Sequence, residues 1–138
     1  MGFSYVVAVA ILLSSSLIFF GVIYSDYVHT NTEISQSEQG QSQRMYDMIN
    51  SKINITSALE AGNSSQKNVT INMVNSGSVT LYLNQTDVLV NGTIHQFNFT
   101  REYLFPLQNE TIRFTTSLEP VEVELVFNTG YKAYVEVK

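Results

Sequence analysis

The chain has no cysteine, no tryptophan, only two prolines and few charged side chains. Without cysteine no disulfide can staple a small domain, so any domain here must be held together by its hydrophobic core. Charged residues make up 14% of the 138 positions, against about 25% in average soluble proteins. The net charge of −5 argues against nucleic acid as a partner, because nucleic-acid binding requires a basic surface.

No lysine or arginine precedes Arg44, and the 22 residues from Phe3 to Tyr24 carry no charge at all. At about 1.5 Å rise per residue such a helix spans roughly the 30 Å core of a bilayer. A cleaved signal peptide normally has a basic start and an apolar core of only about 7–15 residues. We therefore predict an uncleaved transmembrane anchor in residues 1–25. Its serines are either simply tolerated or form a helix-packing patch.

Asn-X-Ser/Thr triplets are unusually frequent. Twelve asparagines and 27 Ser or Thr residues among 138 would give only about two triplets by chance, yet there are seven. We predict these as glycosylation sites: Asn54, Asn63, Asn68, Asn84, Asn91, Asn98 and Asn109. Since both flanks of the apolar helix lack basic residues, the positive-inside rule does not orient it, and these triplets place the rest of the chain outside the cytoplasm. Incidental triplets on a polar strand surface remain an alternative.

Residues 26–51 are polar at first and then regain a helical period. Apolar positions fall at spacings of three and four, in a stripe that comprises Met45, Met48, Ile49, Lys52 and Ile53. We expect a helical stalk that continues the membrane helix and frays or kinks near Gly40. His29 has no neighbour at metal-ligand spacing and is expected to be solvated or interfacial.

Residues 52–138 change to a period of two, which is typical of half-buried strands. The strands are expected at Lys52–Ala58, around Val69–Met73, Val79–Leu83 and Val88–Val90, and in the segments TIHQFNF, TIRFTT, VEVELVF and YKAYVEV. NSG, NG and NTG between them supply the positive φ of tight turns. The predicted fold class is all-β: an immunoglobulin-like antiparallel β-sandwich on a single N-terminal transmembrane helix, although without the Cys…Trp…Cys signature.

Motifs for catalysis or cofactor binding are missing from the sequence. Glu122 and Glu124 alternate with Val121, Val123 and Leu125, so the two carboxylates are expected on the solvent side of a strand. General acid–base chemistry needs shielded carboxylates with separated pKa values. His95 is expected to be a surface residue. We predict a protein that is not an enzyme and has no cofactor or metal.

The order of segments resembles a known family. A short MGFS start, an immediate apolar helix, a polar helical stalk and a sandwich with NVTINMVNSGSVTLYLNQTDVLVNG resemble the archaellar stator proteins of archaea, the F and G family. The resemblance implies a structural adaptor of the motility motor, anchored in the cytoplasmic membrane by one pass. Its outer domain would lie beneath the surface layer and bind the surface-layer protein, itself or a paralogous stator subunit.

Two other functions remain open. Similar strand motifs occur in pilins and archaellins, so a subunit of an extracellular filament is the main alternative. Those proteins carry a basic residue before the apolar helix for leader removal, and nothing basic precedes Gly2. A surface receptor for a small ligand is the weaker alternative.

The last two strands, Val121–Phe127 and Tyr131–Val137, contain no triplet asparagine. Sugars are bulky and would leave only unmodified faces for protein contact. Large amphipathic side chains are enriched at such contacts. We therefore predict a protein interface at Tyr131, Lys132 and Tyr134. The alternative is that these are ordinary core and edge strands.

Overall fold

The computed structural model describes residues 2–63, 65–119 and 122–137, and the chain divides into two units between Gln43 and Arg44. One helix, α1, covers Gly2–Asn50. It is long and apolar enough to cross a membrane by length and composition, and its large apolar side chains are exposed. The Ser14 hydroxyl donates to the Ala10 carbonyl at 2.7 Å, which satisfies this polar group within the helix. Met1, the first residue of the predicted anchor, lies outside the described residues.

The helix α1 covers most of the stretch predicted as a stalk, residues 26–51. Residues 26–50 are helical, and the helix continues through Gly40 without the expected fraying. The helix stops at Asn50, so Lys52 and Ile53 do not belong to the helical stripe. Ile53 begins the first strand and is only 7% exposed. The burial that this residue gains in the sandwich overrides the helical spacing that it shares with Met45 and Met48.

Nine antiparallel strands follow the helix within the described residues. They are β1 Ile53–Asn63, β2 Gln66–Asn75, β3 Leu81–Tyr82, β4 Asp87–Val90, β5 Thr93–His95, β6 Tyr103–Leu104, β7 Asn109–Thr116, β8 Val123–Val126 and β9 Lys132–Val135. They form a three-stranded sheet in the order β1-β2-β7, a four-stranded sheet in the order β5-β4-β8-β9, and the pair β3-β6. Because the helix takes 49 residues, the term all-β is not accurate, and the chain is a β-rich domain on a long helix.

The sheets share one hydrophobic core. Val69, Ile71 and Met73 of β2, as predicted, are at most 1% exposed. They belong to the same buried cluster as Val88 of β4 and Leu125 of β8, in the four-stranded sheet. Burial of this apolar surface is the main source of stability in a domain without disulfides.

The register of β8 is largely as predicted. Val123 and Leu125 are fully buried and Glu122 is exposed, whereas Glu124 is half-buried rather than fully solvated. Its side chain is 24% exposed because it lies beside Lys132 of β9 in an ion pair. Val121, the first apolar residue of the predicted strand, lies outside the described residues.

Several strands are shorter or longer than the sequence indicated. β1 continues to Asn63, past a register shift between Ile55 and Ser57. The segment predicted as a strand over Val79–Leu83 forms only β3 and then a 3-10 helix at Leu83–Gln85. Of TIHQFNF, only β5 and one bridge between Asn98 and Arg113 are paired. Alternation of apolar and polar residues indicates which side chains are buried and does not require a strand, since Leu83 is buried without being in one.

Two of the three predicted turns have the expected backbone. Asn91 and Gly92 have φ of 49° and 81°, and Gly130 has φ of 84°. Gly77 of NSG does not have positive φ and is needed for a different reason. A Cβ atom there would lie 2.6 Å from the Lys52 nitrogen and would also collide with the Asn50 carbonyl oxygen. The glycine therefore permits close approach between this loop and the end of α1.

Candidate partner-binding face

The outer face of the four-stranded sheet carries four apolar or aromatic side chains beside the charged Asp87, Glu124 and Lys132. Inward residues of β4, β8 and β9 are buried in the core, so the alternate residues point outward. Pairing places Ile94 beside Leu89, Leu89 beside Glu124, and Glu124 beside Tyr134 in one row across the sheet. Ile94 and Tyr134 are 66% and 60% exposed. We name the set Leu89, Ile94, Val126 and Tyr134 the apolar sheet face.

One ion pair crosses this face. The Lys132 Nζ atom lies 2.8 Å from the Glu124 Oε1 atom, and this hydrogen bond raises the pKa of Lys132 above its usual value. The pair neutralises both charges within the face, which otherwise carries Asp87 at its margin. A face with internally matched charges and large apolar side chains is typical of a protein contact.

The outer face of the three-stranded sheet carries mainly amides and hydroxyls. One cross-strand row on it consists of Leu59, Thr70 and Arg113, and Leu59 is 58% exposed. Asn72 of β2 donates from Nδ2 to the Ser57 hydroxyl at 2.7 Å. Its Oδ1 atom accepts from the Thr111 hydroxyl at 2.5 Å. Two rows away along β2, the Thr115 hydroxyl donates to Asn68 at 3.0 Å. We name this surface, which also carries Asn54 and Asn109, the amide face.

The seven predicted glycosylation sites are all exposed, whereas Asn75 is fully buried and Asn72 half-buried. Four of them lie on strands of the three-stranded sheet: Asn54, Asn63, Asn68 and Asn109. The other three lie elsewhere: Asn84 in the 3-10 helix, Asn91 in the turn after β4, and Asn98 in the bridge to β7. None of the described strands β4, β5, β8 and β9 contains one of them. Their glycosylation stays a prediction.

The three predicted interface residues do not lie together. Lys132 and Tyr134 are exposed on the apolar sheet face. Tyr131 instead packs against the core, its ring 6.1 Å from that of Phe127. The Ile53 amide donates to its hydroxyl at 3.4 Å. Sequence reasoning missed Ile94 and Leu89, although both occupy the outward positions of their alternating strands.

The His, Cys, Asp and Glu side chains form no metal-ligand cluster in the part of the chain that the structure describes. No three His, Cys, Asp or Glu residues there are close enough to hold a metal. His95 is half-buried rather than on the surface, and its ring lies 6.2 Å from that of Phe114. His29 lies 3.3 Å from Glu33, one helical turn away.

The fold defines a class of protein, a β-sheet domain of two main antiparallel sheets behind an apolar N-terminal helix. No family model and no curated protein matches the chain. Among solved structures the chain is similar to the "Archaellum periplasmic stator protein FlaG from Sulfolobus acidocaldarius", at 19% identity and a TM-score of 0.47. That match covers 62% of this chain and 97% of the other. The matched structure is a protein of the family that the sequence motifs resemble.

Proposed function

We propose that the chain is a membrane-anchored structural adaptor of the archaellar stator type, with α1 as a single-pass anchor and the β-domain outside the cell. The sequence resemblance supplies the family. The exposed apolar side chains of α1 would be covered by lipid. The outward placement of all seven triplet asparagines supports a compartment in which they can be glycosylated.

We propose that the domain is an immunoglobulin-like sandwich in the broad sense. Labelled in that fold's convention, the sheet β1-β2-β7 has the order A-B-E and the sheet β5-β4-β8-β9 has the order C′-C-F-G. Domains of this architecture commonly serve as contact modules at cell surfaces. Because function lies in the site and not in the fold, this assignment does not by itself assign a role, which has to be argued from the sheet faces.

The observation that carries the proposal is the contrast between the two outer sheet faces. Exposed apolar patches on a sheet mark protein contacts. The apolar sheet face has Ile94 and Tyr134 more than half exposed, and its strands carry no glycosylation triplet. We infer that this face binds the surface-layer protein or another stator subunit, which would connect the membrane anchor to the surface coat.

A binding experiment with matched variants tests this. Ile94→Lys with Tyr134→Lys places two charges on the apolar sheet face. Leu59→Lys with Thr115→Lys places the same two charges on the outer face of the three-stranded sheet without removing a glycosylation triplet. Both variants alter outward side chains, so both should melt as the parent does. We expect the first to lose capture of surface-layer protein or of a differently tagged copy by about tenfold or more, and the second to keep it. Equal capture by all three proteins would remove the proposed face.

The state of the native N-terminus distinguishes the membrane-anchored adaptor from a filament subunit. Mass spectrometry of protein purified from its own membrane should find residues 1–24 still attached, with at most the initial methionine removed. A shorter chain from which a leader has been cleaved would contradict the anchor and support a filament subunit.

A further inference from the structure

A polar cleft of about 350 Å³ lies beside the outer edge of β7. One wall is the segment Asn98–Arg101, and the other consists of residues 109–113 of β7. Two backbone hydrogen bonds between Asn98 and Arg113, of 2.7 and 3.0 Å, fix one end of the segment. The Thr100 amide donates to Glu110 at 3.2 Å and fixes the other end. These hydrogen bonds join the segment to β7 at two points and so fix the two walls of the cleft relative to each other.

Two of the three arginines in the chain line this cleft. The ion pairs of the described residues are formed by His29, Lys67 and Lys132 with their carboxylates, so neither Arg101 nor Arg113 has one there. Both arginines are exposed. Two unpaired guanidinium groups at one cleft, on a chain of net charge −5, form a local positive site that favours a carboxylate or sulfate ligand.

The rest of the lining suits a sugar ring better than a bare anion. Phe99 is 37% exposed and offers an apolar ring surface at the cleft. Its orientation is supported by Phe97, at 5.6 Å between ring centroids. Thr111 and Asn109 place a hydroxyl and an amide on the opposite wall. The Thr111 hydroxyl donates its proton to Asn72 and can still accept, whereas the Asn109 amide can both donate and accept, as sugar hydroxyls require.

Glu110 limits where the acidic group of the ligand can lie. Its side chain is at an inward position of β7 and only 7% exposed. One carboxylate oxygen already accepts the Thr100 amide. The Glu110 carboxylate therefore lies buried at the base of the cleft, whereas the guanidinium groups of Arg101 and Arg113 are exposed to solvent. The ligand's anionic group is expected at the arginines and its neutral ring against Phe99.

We propose that this cleft is a binding site for an acidic carbohydrate, that is, a sugar bearing a carboxylate or sulfate group. The inference does not rest on the adaptor role. Such a ligand could come from a glycan on another molecule. It could also come from the chain's own Asn98 or Asn109, whose side chains line the cleft.

The probe is a trimer of galacturonic acid, titrated by calorimetry into the full chain in detergent micelles. The protein is first produced in a host without N-glycosylation. Arg101→Gln with Arg113→Gln should weaken binding by at least about tenfold, because charge-assisted bidentate contacts are lost. Arg44→Gln with Lys52→Gln removes two charges away from the cleft and should change binding less than about twofold. Raising the salt concentration should weaken binding of the parent.

Three results would overturn the proposal: no binding by the parent at millimolar trimer, equal binding of a neutral galactose trimer, or equal binding of inorganic sulfate alone. Equal loss in the matched control would do the same.

The glycosylated native protein then distinguishes the two sources of the ligand. Unchanged binding means that the natural ligand belongs to another molecule. Binding that appears only after Asn98→Gln with Asn109→Gln means that the chain's own sugar occupies the cleft.

Discussion

The outer faces of the two main sheets differ in chemistry although their inner faces build one core. On the three-stranded sheet, most outward positions are amides and hydroxyls, some of which bond to one another, as Asn72 does with Ser57 and Thr111. Leu59 and Arg113 also point outward there. On the four-stranded sheet the outward row contains Ile94 and Tyr134. The inward positions are constrained by packing on both sheets, so the outward positions are where the two sheets can acquire different functions.

The difference also concerns what each face leaves unsatisfied. Side chains of the amide face meet part of their hydrogen-bonding capacity within the sheet, and water or sugar can meet the remainder. The apolar sheet face gains from removal from water, which gives it a physical reason to associate. The two faces therefore suit a domain with one side toward solvent and the other toward a partner.

The largest difference in stability is expected between a variant on the inner side of the four-stranded sheet and a variant on its outer side. Leu125 is fully buried, whereas Ile94 is 66% exposed. Leu125→Ala should lower the free energy of unfolding by about 2–5 kcal/mol, and Ile94→Ala by less than about 0.5 kcal/mol. Urea denaturation of the full chain in detergent measures both. The reverse order would mean that the register is shifted by one residue, which exchanges the two faces.

The next comparison uses one lysine from each sheet. Lys67 bonds Glu119 and Glu60, both at 2.8 Å, and these bonds raise its pKa above the usual value. Stability from a raised pKa is fully present below the unfolded-state pKa, about 10.5, and is lost as the pH rises through the folded value. The parent should therefore lose thermal stability above about pH 10.5, and Lys67→Met should reduce this loss.

Lys132→Met provides the matched control. The pKa of Lys132 is raised in the same direction by Glu124, but its side chain is 54% exposed, against 10% for Lys67. Solvent screening should make its part of the alkaline loss smaller. An alkaline melting profile that changes more for Lys132→Met than for Lys67→Met would contradict this ranking of the two ion pairs.

A smaller effect on stability is expected for the side-chain hydrogen bonds of the amide face. Asn72→Ala removes two side-chain hydrogen bonds and should lower the free energy of unfolding by about 1 kcal/mol, since their neighbours can turn to water. Tyr134→Ala, on the apolar sheet face, should lower it by less than about 0.5 kcal/mol. Differential denaturation of the two variants tests whether the amide face is stabilised internally. Equal losses would mean that it is not.

The smallest effect on stability is expected for the glycosylation sites themselves. Asn54→Gln, Asn68→Gln and Asn109→Gln alter exposed side chains and should each change the free energy of unfolding by less than about 0.5 kcal/mol. In the native host each should instead lower the mass of the purified protein by one glycan. A mass that changes by no more than the amino-acid substitution would mean that the site is unoccupied.

Much of this arrangement follows from alternation in the sequence. Val69, Ile71 and Met73 identified the inner side of β2, and Leu125 that of β8. The family resemblance was drawn from the same segments. What alternation could not predict was pairing: the outward row from Ile94 to Tyr134 exists only because β5, β4, β8 and β9 lie side by side. The β4–β5 and β8–β9 pairings are hairpins, whereas the β4–β8 pairing, which joins them, is between residues far apart in the chain, such as Leu89 and Glu124.

The errors have local physical causes. Ile53 continues the helical spacing of Met45 but is buried in the sandwich, so tertiary packing decides its structure. Leu83 alternates like a strand residue but lies in a 3-10 turn. The cleft beside β7 was not predicted, because Arg101 and Arg113 become neighbours of one cavity only through the backbone bridge at Asn98.

The central claim is that the apolar sheet face, and not the amide face, meets the protein partner outside the cell. A photo-crosslinking amino acid placed at Tyr134, and in a matched strain at Thr115 of β7, tests it in intact cells. Both positions are exposed and point outward. We predict adducts with surface-layer protein or a stator subunit from position 134 and none from position 115. Adducts from position 115 alone, or equal adducts from both, would contradict the account.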